Sequence, residues 1–189
     1  MRVILGSASP RRYELMKMLD IPFEVIVSND EEIYDSNKSI YEQCLDISYQ
    51  KALNVYNKTE GERIVIGSDT IVKFNNKILG KPKTKEEAKI MIKELSGNVH
   101  EVVTSVSILI YKDEKYYEEK KYDVSKVYIN EMDDFEIDKW VLENDVCGMA
   151  GGYGIQKEFG KFINKIEGNY YTIVGLPINI VYQILKKYI

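Results

Sequence analysis

Hydrophobic residues along the chain alternate between short β-branched runs and stretches in which they recur every three or four positions. Arg2 to Leu5 holds a Val-Ile-Leu run closed by Gly6-Ser7-Ala8-Ser9, which predicts a short buried strand and then a loop. Ser9 fits the N-cap of the next helix, with Pro10 at its first position. Leu15, Met18 and Leu19 mark one face of that helix. A second strand fits Phe23 to Val27. Ser39 and Glu42 form a Ser-x-x-Glu capping box that opens a longer helix, with Leu45, Ser48 and Ala52 on one side and Lys51 in its C-terminal half.

Further on, Ile64-Val65-Ile66 and Ile71-Val72 flank Gly67-Ser68-Asp69-Thr70, and Asn75-Asn76 reads as the turn of a hairpin whose return strand ends at Leu79. Thr84 and Glu87 form another capping box. Ala88, Met91, Ile92 and Leu95 then recur at helical spacing until Ser96-Gly97 stops the helix. Val102 to Ile110 and Val124 to Ile129 predict two strands, and the polar stretch from Tyr111 to Tyr122 between them suits the solvated tip of an antiparallel hairpin. Helices are expected at Asp134 to Glu143 and Pro177 to Tyr188. Hairpins together with helical crossovers predict an α/β protein with a mixed sheet.

Composition narrows what such a fold can do. With 189 residues, 44% apolar and 30% charged, the chain can fill a core and is expected to form a single domain over 1–189, not a disordered or disulfide-stapled chain. The N-terminal apolar run is too short for a signal peptide, and no run approaches the roughly 18 apolar residues of a membrane span. The expected location is therefore cytoplasmic, without a membrane partner, and Cys44 and Cys147 are expected to be reduced thiols. A net charge of −4 argues against long nucleic acid but leaves room for a local basic pocket. A single histidine excludes a multi-histidine metal site, and two cysteines exclude a four-thiolate zinc site. Hard-cation chemistry on carboxylates remains available.

Candidate chemistry begins in the strand, loop and helix start at residues 2 to 12. Small residues opening a helix present backbone N–H groups and a positive dipole end, which suits phosphate oxygens. Only four of the 26 basic residues are arginines, and two of them, Arg11 and Arg12, stand side by side here. The alternative is a capped helix with surface arginines. Asp69, an acid between two apolar runs, is either a turn aspartate bonded to nearby backbone or a group held by a partner or cation. Lys81 in Leu79-Gly80-Lys81-Pro82, and Glu31 and Glu32 in Asp30-Glu31-Glu32, read as surface residues when each is taken alone. His100 is expected at a strand start bonded to the Ser96-Gly97 turn, and Trp140 as a core or interface anchor. The 15 tyrosines are too dispersed for a stacking platform.

Taken together, these features have an order. Ser7-Ala8-Ser9-Pro10-Arg11-Arg12, Gly67-Ser68-Asp69-Thr70-Ile71-Val72, Leu79-Gly80-Lys81-Pro82, Leu95-Ser96-Gly97 with His100, Tyr153-Gly154-Ile155-Gln156 and Val174-Gly175-Leu176-Pro177 follow one another over nearly the whole chain. This resembles the Maf family of nucleoside triphosphate pyrophosphatases over residues 2 to 188. The resemblance implies an elongated mixed sheet flanked by helices, two lobes around a cleft, like the inosine triphosphate pyrophosphatases. It implies hydrolysis of a nucleoside triphosphate to the monophosphate and pyrophosphate with a divalent cation, Mg²⁺ or Mn²⁺. Ser7, Arg11 and Arg12 would then bind the triphosphate, Lys51 and Lys81 would add positive charge, and Asp69 would accept a proton, hold the metal, or both. Glu32 matches an acidic position that supports metal binding or catalysis.

Arg11, Thr70 and Gln156 match the positions that mark the branch acting on dTTP and UTP. Two departures fall near Gln156: Gly148-Met149 where the family has Asp-Lys, and Lys157 where it has glycine. The resemblance is also compatible with a homodimer. Competing readings are a nucleotide-binding regulator of septum formation with little turnover, and a pyrophosphatase for modified purine nucleotides such as 7-methyl-GTP.

Overall fold

The structure is a computed structural model that describes residues 1–27 and 32–189. Asp30 and Glu31 of the acidic run lie outside the described residues, and Glu32 lies within them. Strand β1 (Arg2–Leu5) leads through a loop to α1 (Pro10–Lys17), with Ser9 as N-cap accepting the Arg12 N–H and Pro10 in the first turn. This helix is shorter than its apolar spacing suggests. Its last turn tightens, with the Met18 N–H reaching the Leu15 carbonyl at 3.2 Å, which swings Met18 out to 56% exposure. The buried pair is Leu15 and Met16 instead. Strand β2 (Glu24–Val25) has two residues where five were expected, because it pairs in parallel only with Ile4 and Leu5 at the end of β1.

Helix α2 (Ile40–Asn57) opens with both halves of the predicted capping box in place and buries Cys44, Ile47, Ser48, Ala52 and Val55; Leu45 sits half-buried beside that face. The next element corrects a larger expectation. Gly67-Ser68-Asp69-Thr70 does not separate two strands but continues one, β3 (Arg63–Phe74). Gly67 serves close packing here, not a turn: a Cβ at this position would lie 2.2 Å from the Ser48 carbonyl oxygen and 2.6 Å from the Ala52 nitrogen of α2. Strand β4 (Lys77–Leu79) returns after Asn75 and Asn76, which take φ of 48° and 59°.

In α3 (Lys85–Leu95) the Thr84 hydroxyl caps the Glu87 N–H, but the Glu87 carboxylate takes the Lys83 N–H at 2.6 Å, so only half of that capping box forms. Strands β5 (Val99–Lys112) and β6 (Lys115–Ile129) replace the expected polar tip, and the turn shrinks to Asp113-Glu114. Alternate residues of this polar stretch cover α2. Tyr122 stacks on Tyr41, Tyr116 stands edge-on to Tyr56, and the Lys120 ammonium lies 3.4 Å from the Tyr49 ring centroid. Apolar bodies are thus covered while polar tips stay wet, which lets a Lys/Glu/Tyr sequence form strand. The chain continues through α4 (Asp134–Glu143), short 3₁₀ turns, β7 (Ile163–Glu167), α5 (Tyr170–Val174) and α6 (Ile178–Leu185).

The resulting fold is mixed α/β: among the described residues seven strands form one sheet in the order β2-β1-β3-β5-β6-β7, with β4 paired to β3 and helices flanking the sheet. Pairing is parallel for β1 with β2 and β3, and antiparallel for β3 with β4 and β6 with β7. The chain divides into two compact units, one of residues 1–69, 104–123 and 175–189, the other of 70–103 and 124–174. The first unit has a core around Ile4, Ala52, Val55, Val65 and Leu109. In the second, Ile92, Leu95, Trp140 and Phe159 lie in one larger cluster. Trp140 is a core residue there, its indole N–H donating to the Gly152 carbonyl at 3.0 Å. Among the described residues no helix is long and apolar enough to cross a membrane.

Candidate active site

In the first unit, side-chain bonds hold the β1–α1 loop and the start of α1. The buried Ser7 hydroxyl accepts from the Ser9 N–H at 3.2 Å and from Arg12 Nη1 at 3.3 Å. Arg12 Nε donates to the Gly175 carbonyl at 2.9 Å. Burial lowers the basicity of this guanidinium and the Asp69 charge opposes that shift, yet arginine stays cationic at neutral pH. Arg11 is half-buried on the same helical turn.

Helix α2 brings the next group. It crosses β1 and β3 at two glycines: Gly67, and Gly6, where a Cβ would lie 3.2 Å from the Ile66 carbonyl and 3.5 Å from the Lys51 carbonyl. Close approach of this kind needs residues without side chains. It sets Lys51 against Asp69 on β3, with Nζ 2.7 Å from Asp69 Oδ1 and 2.9 Å from Glu32 Oε1. Asp69 therefore has a cationic partner within a strand and is not a turn aspartate. Its other oxygen lies 3.9 Å from the Cys44 thiol, whose pKa burial pushes up to about 12, so Cys44 is a neutral neighbour and not a nucleophile.

The segment carrying Glu32 is clamped. Gln50 accepts the Ile33 N–H at 3.0 Å and donates to the Ile33 carbonyl at 2.8 Å, while the Tyr34 hydroxyl donates to Glu32 Oε2 at 2.7 Å. Burial, the Glu32 bond and the Asp69 charge all raise the Tyr34 pKa, so the phenol keeps its proton. Ser7, Arg11, Arg12, Glu32, Lys51 and Asp69 thus share the first unit. Gln50 and Tyr34 carry no spacing signal in the sequence that would have pointed to them. Gly67 stood within a noted motif, but its contact with α2 is visible only once the chain is folded.

Thr70, Lys81 and Gln156 belong to the second unit, Lys81 and Gln156 both exposed. A backbone bond from the Gly151 N–H to the Gly80 carbonyl, 3.0 Å, ties the Lys81 loop to the stretch leading to Gln156. Tyr153 anchors that stretch. Its hydroxyl lies 2.6 Å from His100 Nε2, both side chains being buried. His100 is at a strand start as expected, but its partner is Tyr153 and not the Ser96-Gly97 turn. Desolvation lowers its pKa to about 4, leaving a neutral imidazole.

The donor set can be tested against a divalent metal. Asp69 and Glu32 reach one nitrogen, so their oxygens are close enough to share a cation, and the positive charge between them here is the Lys51 ammonium. Among the described residues no three His, Cys, Asp or Glu side chains group into an all-protein metal cage. Mg²⁺ commonly takes one or two carboxylates and completes its shell with phosphate oxygens and water, and the two carboxylates fit that mode.

Residues 2–188 match the family described as Maf-like protein. The chain belongs to the Maf family. Relatives named dTTP/UTP pyrophosphatase include one from Thermoanaerobacter sp. (strain X514), 43% identical over 99% of this chain and 96% of its own length. Another, from Alkaliphilus oremlandii, is 45% identical over 94% of this chain and 91% of its own. A third, from Clostridium tetani, is 44% identical over 99% and 97%. Among solved structures, a HAM1 protein from Coxiella burnetii is similar in fold, with a TM-score of 0.55 at 13% identity over 99% of both chains. Within this Maf chain the departure at Met149 has a structural place: the residue is 2% exposed in the second unit's core, where a lysine would have to lose its hydration.

Proposed function

We propose that this chain hydrolyses dTTP and UTP between the α- and β-phosphates, releasing the nucleoside monophosphate and pyrophosphate. The observation that carries the reaction class is the meeting of Asp69 and Glu32 at Lys51, in the same unit as the Ser7–Arg12 loop. The names of relatives at 43–45% identity support the choice of substrate. A triphosphate brings about four negative charges, which Arg11, Arg12 and Lys51 offset by forked and point-charge contacts, with Lys81 adding a further cation.

Asp69 accepts the proton of the attacking water, and Lys51 orients that carboxylate through its Oδ1 bond. Glu32, held by Tyr34 and by the Gln50 clamp, keeps a second carboxylate oxygen on Lys51. A bound Mg²⁺ or Mn²⁺, held by Asp69 and Glu32, would supply charge neutralisation at the phosphates. Gln156 presents one amide donor and one acceptor, a match for the O4 and N3–H edge of uracil or thymine. Thr70 adjoins Asp69 and completes the set marking this branch.

Pyrophosphate release across the common NTPs and dNTPs with Mg²⁺ or Mn²⁺ tests the reading. Turnover of dTTP and UTP well above the rest is expected. Absence of turnover on every nucleotide, or a preference for 7-methyl-GTP, would overturn it. For Gln156→Glu, an unchanged preference for UTP over CTP would show that the amide does not read the base.

A further inference from the structure

Val174-Gly175-Leu176-Pro177 carries no charged or hydroxyl side chain, yet its backbone reaches the candidate site. Gly175 is buried between α5 and α6 with φ of 121°. Its carbonyl accepts two side-chain donors, Arg12 Nε at 2.9 Å and Ser68 Oγ at 3.3 Å. Ser68 is fully buried and precedes Asp69 on β3, so strand alternation directs it to the opposite face from Asp69. One oxygen therefore joins three segments of the first unit: the loop bearing Arg12, the strand bearing Asp69 and the α5–α6 turn.

A guanidinium is planar, with its donors in fixed directions. Bonding through Nε to Gly175 and through Nη1 to Ser7 Oγ, 3.3 Å, sets both the plane of Arg12 and its rotation within that plane. We propose that the Gly175 carbonyl is the positioning group that aims Arg12 at the substrate phosphates, and that Ser68 holds this carbonyl in register with Asp69. The proposal rests on the reading of the chain as a nucleoside triphosphate pyrophosphatase. It also accounts for glycine at 175, since an L side chain is strained at this φ and its turn would relax, turning the carbonyl away from Arg12.

Pyrophosphate, added with Mg²⁺, is the probe, and calorimetry reads its affinity in wild type, Ser68→Ala, Gly175→Ala, Arg12→Lys and the Ser68→Ala/Arg12→Lys double variant. Gly175→Ala and Arg12→Lys are expected to weaken pyrophosphate about tenfold and Ser68→Ala somewhat less, as for a charge-assisted hydrogen bond that loses its alignment. KM for dTTP rises in step, with kcat changing less, while dTMP affinity stays as in wild type.

In the Arg12→Lys background, Ser68→Ala is expected to add nothing. A merely structural serine would weaken both backgrounds by the same factor, and that result, or wild-type affinity in Ser68→Ala, overturns the proposal. So does a wild type that binds no pyrophosphate. Should Gly175→Ala fail to fold, the Ser68/Arg12 cycle decides alone. A wild type that shows the expected cycle but turns over no nucleotide overturns the pyrophosphatase reading and leaves the positioning intact.

Discussion

Two buried polar clusters, one in each unit, handle polarity in opposite ways. In the first, charges meet: the Lys51 side chain, 19% exposed, holds Asp69 and Glu32, and Arg12 is fastened to a backbone carbonyl. In the second, the buried polar pair is neutral, with His100 bonded to Tyr153 and each kept uncharged by desolvation. Opposite charges held together can exchange partners with a charged ligand, because an incoming phosphate or cation offsets the charge that its partner gives up. A neutral buried pair gives up that capacity and instead fixes the backbone around it, here the stretch that leads to Gln156. Chemistry and positioning are thus separated by charge and not by depth, Asp69 being 7% exposed and Tyr153 6%.

The largest effect should come from breaking the charged side. Asp69→Asn keeps shape and removes the proposed proton acceptor, and dTTP turnover should fall about 10²- to 10⁴-fold while the thermal midpoint moves little. Next in size is the contact that delivers Lys51. Gly67→Ala forces a Cβ into α2 backbone and should cost about 3 kcal/mol in denaturant unfolding, whereas Gly80→Ala, with nothing within 4 Å of the added carbon, should change stability by less than about 0.5 kcal/mol. Equal costs at the two glycines would break the link between Gly67 and the site.

The neutral pair predicts a pH dependence whose sign follows from its burial. The folded imidazole has its pKa lowered from 6.5 to about 4, so between those values the unfolded chain binds the extra proton. Stability should therefore fall as pH drops from about 6.5 towards 4, by up to about 3 kcal/mol, and level off below. Unfolding free energies measured across this range should lose most of that slope in His100→Gln. Removing the partner hydroxyl with Tyr153→Phe should cost about 1–2 kcal/mol at pH 7, because a buried imidazole nitrogen loses its bond. Smallest of all should be Lys93→Ala. Its ion pair with Asp134 has side chains 63% and 70% exposed, and a double-mutant cycle there should give less than about 0.5 kcal/mol.

Much of the fold was legible where local rules act alone. Ser39 and Asn75-Asn76 did as their side chains dictate, because a cap or turn is decided within a few residues. The motifs carrying Arg12, Asp69 and Gln156, and the order in which they occur, were likewise readable from the chain, and they sufficed to indicate the Maf family. Local reading failed where a distant partner set the conformation. Tyr111 to Tyr122 looked like a solvated tip because its polarity is evident in the sequence and the tyrosines of α2 that it covers are not. Gly67-Ser68-Asp69-Thr70 looked like a break between two apolar runs because a glycine's absent side chain means one thing in a loop and another beneath a helix.

The candidate site divides the same way. Residue types were decided by the sequence, since a carboxylate, an ammonium or a guanidinium has its chemistry wherever it lies. Their pairing was decided only by tertiary structure: Lys51 with Asp69 and Glu32, His100 with Tyr153, Arg12 with the carbonyl of Gly175. A hydrogen bond is made or lost within an ångström. Contact over that distance between residues up to 163 positions apart in the chain depends on how helices and strands pack, and no spacing along the sequence encodes it by itself.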